Sequence, residues 1–195
     1  MRYILASKSP RRREILGNLG IDFNIVTAQT DESSELSDPV MLAEELALRK
    51  GQAVADLLKS QNELREDDVI ISADTVVCCE GEILGKPQDR ADAKRMLSLL
   101  SGKSHSVVSG VALIRGGKSF VSHSFTKVFF EDIPDDEIER YLDTNDAFDK
   151  AGAYGIQGLA SLWVKKIDGC YFGVVGFPVN VFNELHRRCL GYPVL

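Results

Sequence analysis

The chain has 195 residues, 44% of them hydrophobic, and a net charge of −6, enough for one substantial core or two small lobes sharing a sheet. The acidic balance excludes a broad nucleic-acid footprint, which needs a basic face and many phosphate contacts. No stretch approaches the roughly 18 apolar residues of a membrane span, and the N-terminus lacks the apolar length of a secretory signal, so a cytoplasmic location is expected.

Residues 3–6 predict a short apolar strand, Ser9 an N-cap, and Pro10 the first helical position, where its missing N–H costs nothing. Four of the six residues from Lys8 to Arg13 are basic. Cations at a helix N-terminus oppose the helix dipole, so this cluster points to a bound anion, for which the free backbone N–H groups are also suited. Arg12 precedes Ile15 and Leu16 by three and four residues and projects along the buried side, with Arg11 flanking it. A solvated basic helix end is the alternative.

A strand over 22–28 and a polar loop over 30–38, carrying Asp31 and Glu32, precede a long helix opened by Asp38-Pro39 and ending near Lys59. Lys50 falls inside its apolar stripe of Leu42, Leu46, Ala53, Val54 and Leu57, so it either snorkels to the protein edge or meets an anion in a cleft. Residues 69–73 predict a strand buried on both faces that Asp74-Thr75 interrupts before the apolar pattern resumes. A buried carboxylate must be neutralised, hydrogen-bonded, capping a bend, or facing a metal or cleft. After a turn at 80–82 the chain returns in extended form over 83–87, bringing Lys86 back toward Asp74 unless it is an ordinary edge-strand lysine.

A helix over 89–100 and a hairpin of 107–114 with 118–130 across Gly116-Gly117 read as architecture, as does a helix from Pro134 to Leu142. Three glycines lie between 152 and 158, consistent with close backbone approach to a ligand or with a tight turn. Gln157 among them offers a donor and an acceptor suited to the edge of a pyrimidine. Strands over 159–167 and 171–175 and a terminal helix opened by Pro178 complete the pattern. Cys78, Cys79, Cys170 and Cys189 read as reduced thiols, and the three histidines match no metal or triad spacing. The alternation of elements predicts a mixed α/β (α+β) fold, a central twisted mixed sheet flanked by helices.

Six ordered blocks carry a resemblance: LASKSPRR (5–12), SADTVV (72–77), GKPQD (85–89), LSGKSHSV (100–107), DKAGAYGIQG (149–158) and VVGFP (174–178). The chain resembles the Maf family of nucleotide pyrophosphatases, related in fold to the inosine triphosphate pyrophosphatases. The resemblance spans nearly the whole length and implies a single domain over 1–195, with two lobes around a cleft. Arg11 after Ser-Pro and the Gly-Ile-Gln signature point to the branch that hydrolyses dTTP and UTP to the monophosphate and pyrophosphate, rather than the branch acting on 7-methyl-GTP.

By the same resemblance Asp74 is the proton acceptor, Arg11, Thr75 and Gln157 bear on substrate choice, and Ser7, Arg12, Glu32, Lys50 and Lys86 form the polar lining. Mg²⁺ or Mn²⁺ held by Glu32 and Asp74 is expected to stabilise the leaving group, with Asp74 either deprotonating water or orienting it on the metal. A homodimer is also implied. One departure is Gly51 where relatives commonly have Ala, expected to cost only helix stability. The competing function is a non-catalytic nucleotide-binding regulator of cell division. Against it, a carboxylate beside a phosphate site repels the ligand unless metal is present.

Overall fold

Strand β3 (Asp68–Cys79) is the spine of a seven-stranded mixed sheet in the computed structural model, which describes residues 1–194. On one edge it pairs in parallel with β1 (Arg2–Leu5), itself parallel to β2 (Phe23–Ile25). On the other it pairs antiparallel with β5 (Ser104–Arg115), followed by β6 (Lys118–Phe130) and β7 (Val164–Asp168). The short β4 (Glu82–Leu84) turns back onto the far end of β3. The mixed sheet predicted from the alternation of elements is therefore present.

The two-residue period of β3 divides the core. Val69, Ile71, Ala73, Val77 and Cys79 face a large cluster with α1 (Pro10–Asn18), α3 (Arg90–Leu100), α4 (Asp135–Leu142) and α6 (Val179–Leu190). Ile70 and Val76 face α2 (Pro39–Ser60), which covers the opposite side.

Helix α2 lies unusually close to the sheet. Ala43, Ala47, Gly51 and Ala55, four apart, are all buried. A Cβ on Gly110 of β5 would stand 2.3 Å from the Ala43 carbonyl oxygen, and one on Gly51 would stand 2.6 Å from Ser72 Oγ. Ser72 donates to the Ala47 carbonyl at 2.7 Å, so the glycines permit an approach that a hydrogen bond then fixes. Of the stripe expected from the sequence, Leu42, Leu46 and Val54 are buried together with these small residues and Leu58, whereas Ala53 and Leu57 are only half-buried.

Four expectations are corrected. Asp74 does not interrupt its strand; β3 runs unbroken through it. The strand expected over 22–28 shortens to β2. Residues Leu159–Trp163 form a 3-10 helix, with Ala160 and Trp163 buried while Leu159 and Leu162 are exposed, a period of three that no strand gives. Residues Tyr171–Val175 form helix α5, closed at one end by Cys170 Sγ accepting from Gly173 N–H and at the other by left-handed Gly176.

Pairing along one edge of β3 stops at Ile71, whose carbonyl accepts from Ala6 N–H at 2.8 Å, and resumes with β4 at Val77. Residues 72–76 face an opening there, beyond the carboxyl end of β1, where open α/β sheets commonly place their ligands.

Candidate active site

The opening in the sheet holds a cavity of about 620 Å³, lined from α1, α2, β3, the 85–86 segment, the 146–158 loop and the end of α5. This is the expected cleft. Adjacent residues of β3 serve its two sides, since Asp74 shares the face of Ser72 and Val76 while Thr75 points the other way.

On the α2 side, Lys50 Nζ lies 2.5 Å from Asp74 Oδ1 and 2.8 Å from Glu32 Oε1. The lysine that appeared misplaced in an apolar stripe therefore meets two carboxylates. Its hydrogen bond holds the Glu32 carboxyl below its ordinary value against partial burial, helped by the charges of Lys50, Lys86 and Arg12. Asp74 Oδ2 has no protein donor among the described residues, although the side chain is only 12% exposed.

On the other side, α1 begins at Pro10 after Ser9, whose side chain makes no cap; instead Ser9 N–H donates to Ser7 Oγ at 3.2 Å. Arg12 donates from Nε to the Gly176 carbonyl at 2.9 Å, from Nη1 to Ser7 Oγ at 3.2 Å, and from Nη2 to Thr75 Oγ1 at 3.4 Å. A guanidinium has five N–H groups, so one remains on each terminal nitrogen, the pair needed for a bidentate grip on phosphate. Burial lowers the Arg12 pKa, Asp74 and Glu32 oppose that, and neighbouring Arg11 adds to it. An anion entering the cavity relieves this cost.

Ser7 is buried behind Arg12 and outside the lining, so the structure gives it a supporting contact with Arg12. Lys86 lines the cavity without an ion pair among the described residues; Asp74 is paired by Lys50 instead. Gln157 and Arg11 also line the wall.

Asp146 was missed by the sequence reading, and Asp149 and Lys150 were quoted without a role. Lys150 Nζ contacts the Asp146 carbonyl at 2.5 Å, Asp146 Oδ1 at 2.7 Å and Asp149 Oδ1 at 2.6 Å, and Asp149 Oδ2 lies 3.5 Å from Arg11 Nη1. Burial works against the Asp149 carboxylate, but Lys150 and Arg11 outweigh it and hold its carboxyl low. A Cβ on Gly155 would stand 2.6 Å from Lys150 Cε, so that glycine exists to let the lysine stem pass. The signal was the DK pair just before the glycines.

Glu32 and Asp74 already converge on one cation, the Lys50 ammonium, and both are hard oxygen donors. Two such carboxylates match what Mg²⁺ or Mn²⁺ takes from protein when phosphate oxygens and water complete its shell. No cluster of three or more His, Cys, Asp or Glu able to hold a metal alone occurs among the described residues.

The profile of the Maf-like protein family matches residues 2–189. The dTTP/UTP pyrophosphatase of Caldanaerobacter subterraneus subsp. tengcongensis is 44% identical over 98% of this chain and 90% of its own length. Those of Syntrophomonas wolfei subsp. wolfei and Alkaliphilus oremlandii are 46% and 48% identical, covering 94% and 95% of this chain and 96% and 94% of their own. The solved structure of the Staphylococcus aureus Ham1 protein aligns with 67% of this chain and 72% of its own at 12% identity and a TM-score of 0.46.

Proposed function

The chain belongs to the Maf-like protein family, and we propose that it is a nucleoside triphosphate pyrophosphatase that hydrolyses dTTP and UTP to the nucleoside monophosphate and pyrophosphate. The observation that carries this reading is Asp74, a carboxylate whose Oδ2 has no protein donor among the described residues, in a cavity whose lining also brings Arg11, Arg12, Lys50 and Lys86 together. A protein that only binds triphosphate gains nothing from that negative charge unless a metal bridges it to the phosphates.

In the proposed reaction water attacks the α-phosphorus, the bond from that phosphorus to the bridging oxygen breaks, and pyrophosphate leaves. Asp74 Oδ2 accepts the proton from water while Lys50 holds Oδ1, fixing the carboxylate plane. Arg12, anchored by three protein acceptors, offers its two remaining N–H groups to the phosphates, and Arg11 and Lys86 add positive charge at the mouth. Gln157 meets the base edge with its amide. Glu32 would hold Mg²⁺ or Mn²⁺, with Asp74 as its second carboxylate where Asp74 orients the attacking water instead of taking its proton; the metal when bound would neutralise charge on the departing pyrophosphate.

Reaction in ¹⁸O-labelled water tests the bond cleaved. Label in the nucleoside monophosphate, with pyrophosphate unlabelled, is expected; label in inorganic phosphate, or no turnover of any triphosphate with either metal, rejects the proposal.

No helix is long and apolar enough to cross a membrane among the described residues. A cytoplasmic location accords with this reading, since reducing conditions keep the four free cysteines as thiols. Light scattering checks the homodimer that the resemblance implies.

A further inference from the structure

Arg12, Thr75, Ser109, Gly173 and Gly176 close a ring of hydrogen bonds beside the cavity. Ser109 sits opposite Thr75 in the β3–β5 register and is fully buried. Its hydroxyl lies 2.7 Å from the Gly173 carbonyl, which can only accept, so the single serine proton is committed there. The 2.8 Å contact between Thr75 Oγ1 and Ser109 Oγ must then be made by threonine donating. Thr75's one proton is thereby turned away from the cavity, and Oγ1 is left as the acceptor for Arg12 Nη2. Gly173 O also accepts from Gly176 N–H at 3.1 Å, and Gly176 O accepts from Arg12 Nε, which completes the circuit.

We propose that Ser109 is a positioning residue: by taking the Thr75 proton it fixes the one bond of the ring whose direction is otherwise open, leaves Thr75 Oγ1 as an acceptor, and so holds the orientation of Arg12. Thr75 has no proton to offer a phosphate oxygen and serves the phosphate site by holding the guanidinium. The turn at Gly173–Gly176 is the shared anchor, which explains why α5 must end beside α1. This inference rests on the reading of the cavity as a triphosphate site.

The test is a double-mutant cycle of Ser109→Ala, Thr75→Val and the double variant, each shown to be folded by thermal melting. Loss of one charge-assisted restraint on Arg12 is expected to raise KM for dTTP about fivefold in either single variant, with kcat within about twofold of the wild type. The double variant is expected to be no worse than Thr75→Val alone, because Ser109 acts through Thr75. Effects that multiply, or an unchanged KM in Ser109→Ala, overturn the proposal. Hydrogen exchange at Arg12 Nε, read by NMR without nucleotide, separates this result from the functional reading. Faster exchange in both single variants, with no further gain in the double, supports the ring; wild-type exchange in Ser109→Ala overturns it even if no triphosphate is hydrolysed.

Discussion

Lys50 and Asp74 form an ion pair of 2.5 Å across the α2–sheet interface, and the same ammonium holds Glu32 at 2.8 Å. The pair depends on the close seating of α2 over Gly110 and Ser72, which brings Lys50 within reach of the next position but one along β3.

Lys50→Met removes the cation from both carboxylates while keeping the aliphatic stem. Pyrophosphate release is expected to fall about a hundredfold, the loss typical of removing one preorganised donor. Because Lys50 is the leading cause of the depressed Glu32 pKa, that pKa rises in the variant, which an NMR titration of the Glu32 carboxyl reads directly. A Glu32 titration that stays in place contradicts the assignment.

Gln157→Glu replaces an amide that can donate with a charged acceptor at the cavity wall. Turnover of dTTP and UTP is expected to drop about tenfold relative to GTP. The check is the ratio of kcat/KM values over the triphosphate panel, which stays at its wild-type value if Gln157 does not touch the base.

His105 is buried, bonded through Nε2 to the Tyr154 hydroxyl at 2.7 Å, with Nδ1 lacking a partner among the described residues and Phe130 edge-on at 4.8 Å. Burial pushes its pKa down from 6.5 to about 4. Between those values the unfolded chain binds the proton and the native one does not, so stability falls as pH drops through that window, by roughly 3 kcal/mol in total. Urea melts from pH 7 to 4 are expected to show this slope in the wild type and a shallower one in His105→Leu; equal slopes exclude the effect.

Gly51→Ala gains helix propensity but drives a methyl against Ser72 Oγ, which cannot turn away without breaking its bond to Ala47. A net loss of about 1 kcal/mol is expected, recovered in the Gly51→Ala/Ser72→Ala double variant. Chemical denaturation measures both, and a stabilised single variant contradicts the packing argument.

Much of this was legible in the residues themselves. Pro10, Asp38-Pro39, Gly116-Gly117, Pro134 and Pro178 mark their helix starts and hairpin through local chemistry that needs no tertiary contact. The apolar stripe exposed Lys50 as anomalous, and the apolar run exposed Asp74, because each violates a pattern set by burial. Residues 159–163 and 171–175 were misread because apolar content alone does not separate a strand from a short helix. What settles 171–175 is the Cys170 cap and the left-handed Gly176. The roles of Ser109 and Lys150 depend on partners 34 and only 1 to 4 residues away, respectively. The first is non-local, and the second reads as an ordinary surface helix pair until Gly155 shows how closely the loop passes.

The measurement that tests the central claim most directly is the rate of pyrophosphate release from dTTP by Asp74→Asn, with its melting temperature recorded beside the wild type. Asparagine preserves an acceptor for Lys50 but cannot take a proton from water, so a loss of about a thousandfold in a normally folded variant is expected. A folded Asp74→Asn protein that releases pyrophosphate at the wild-type rate contradicts the account.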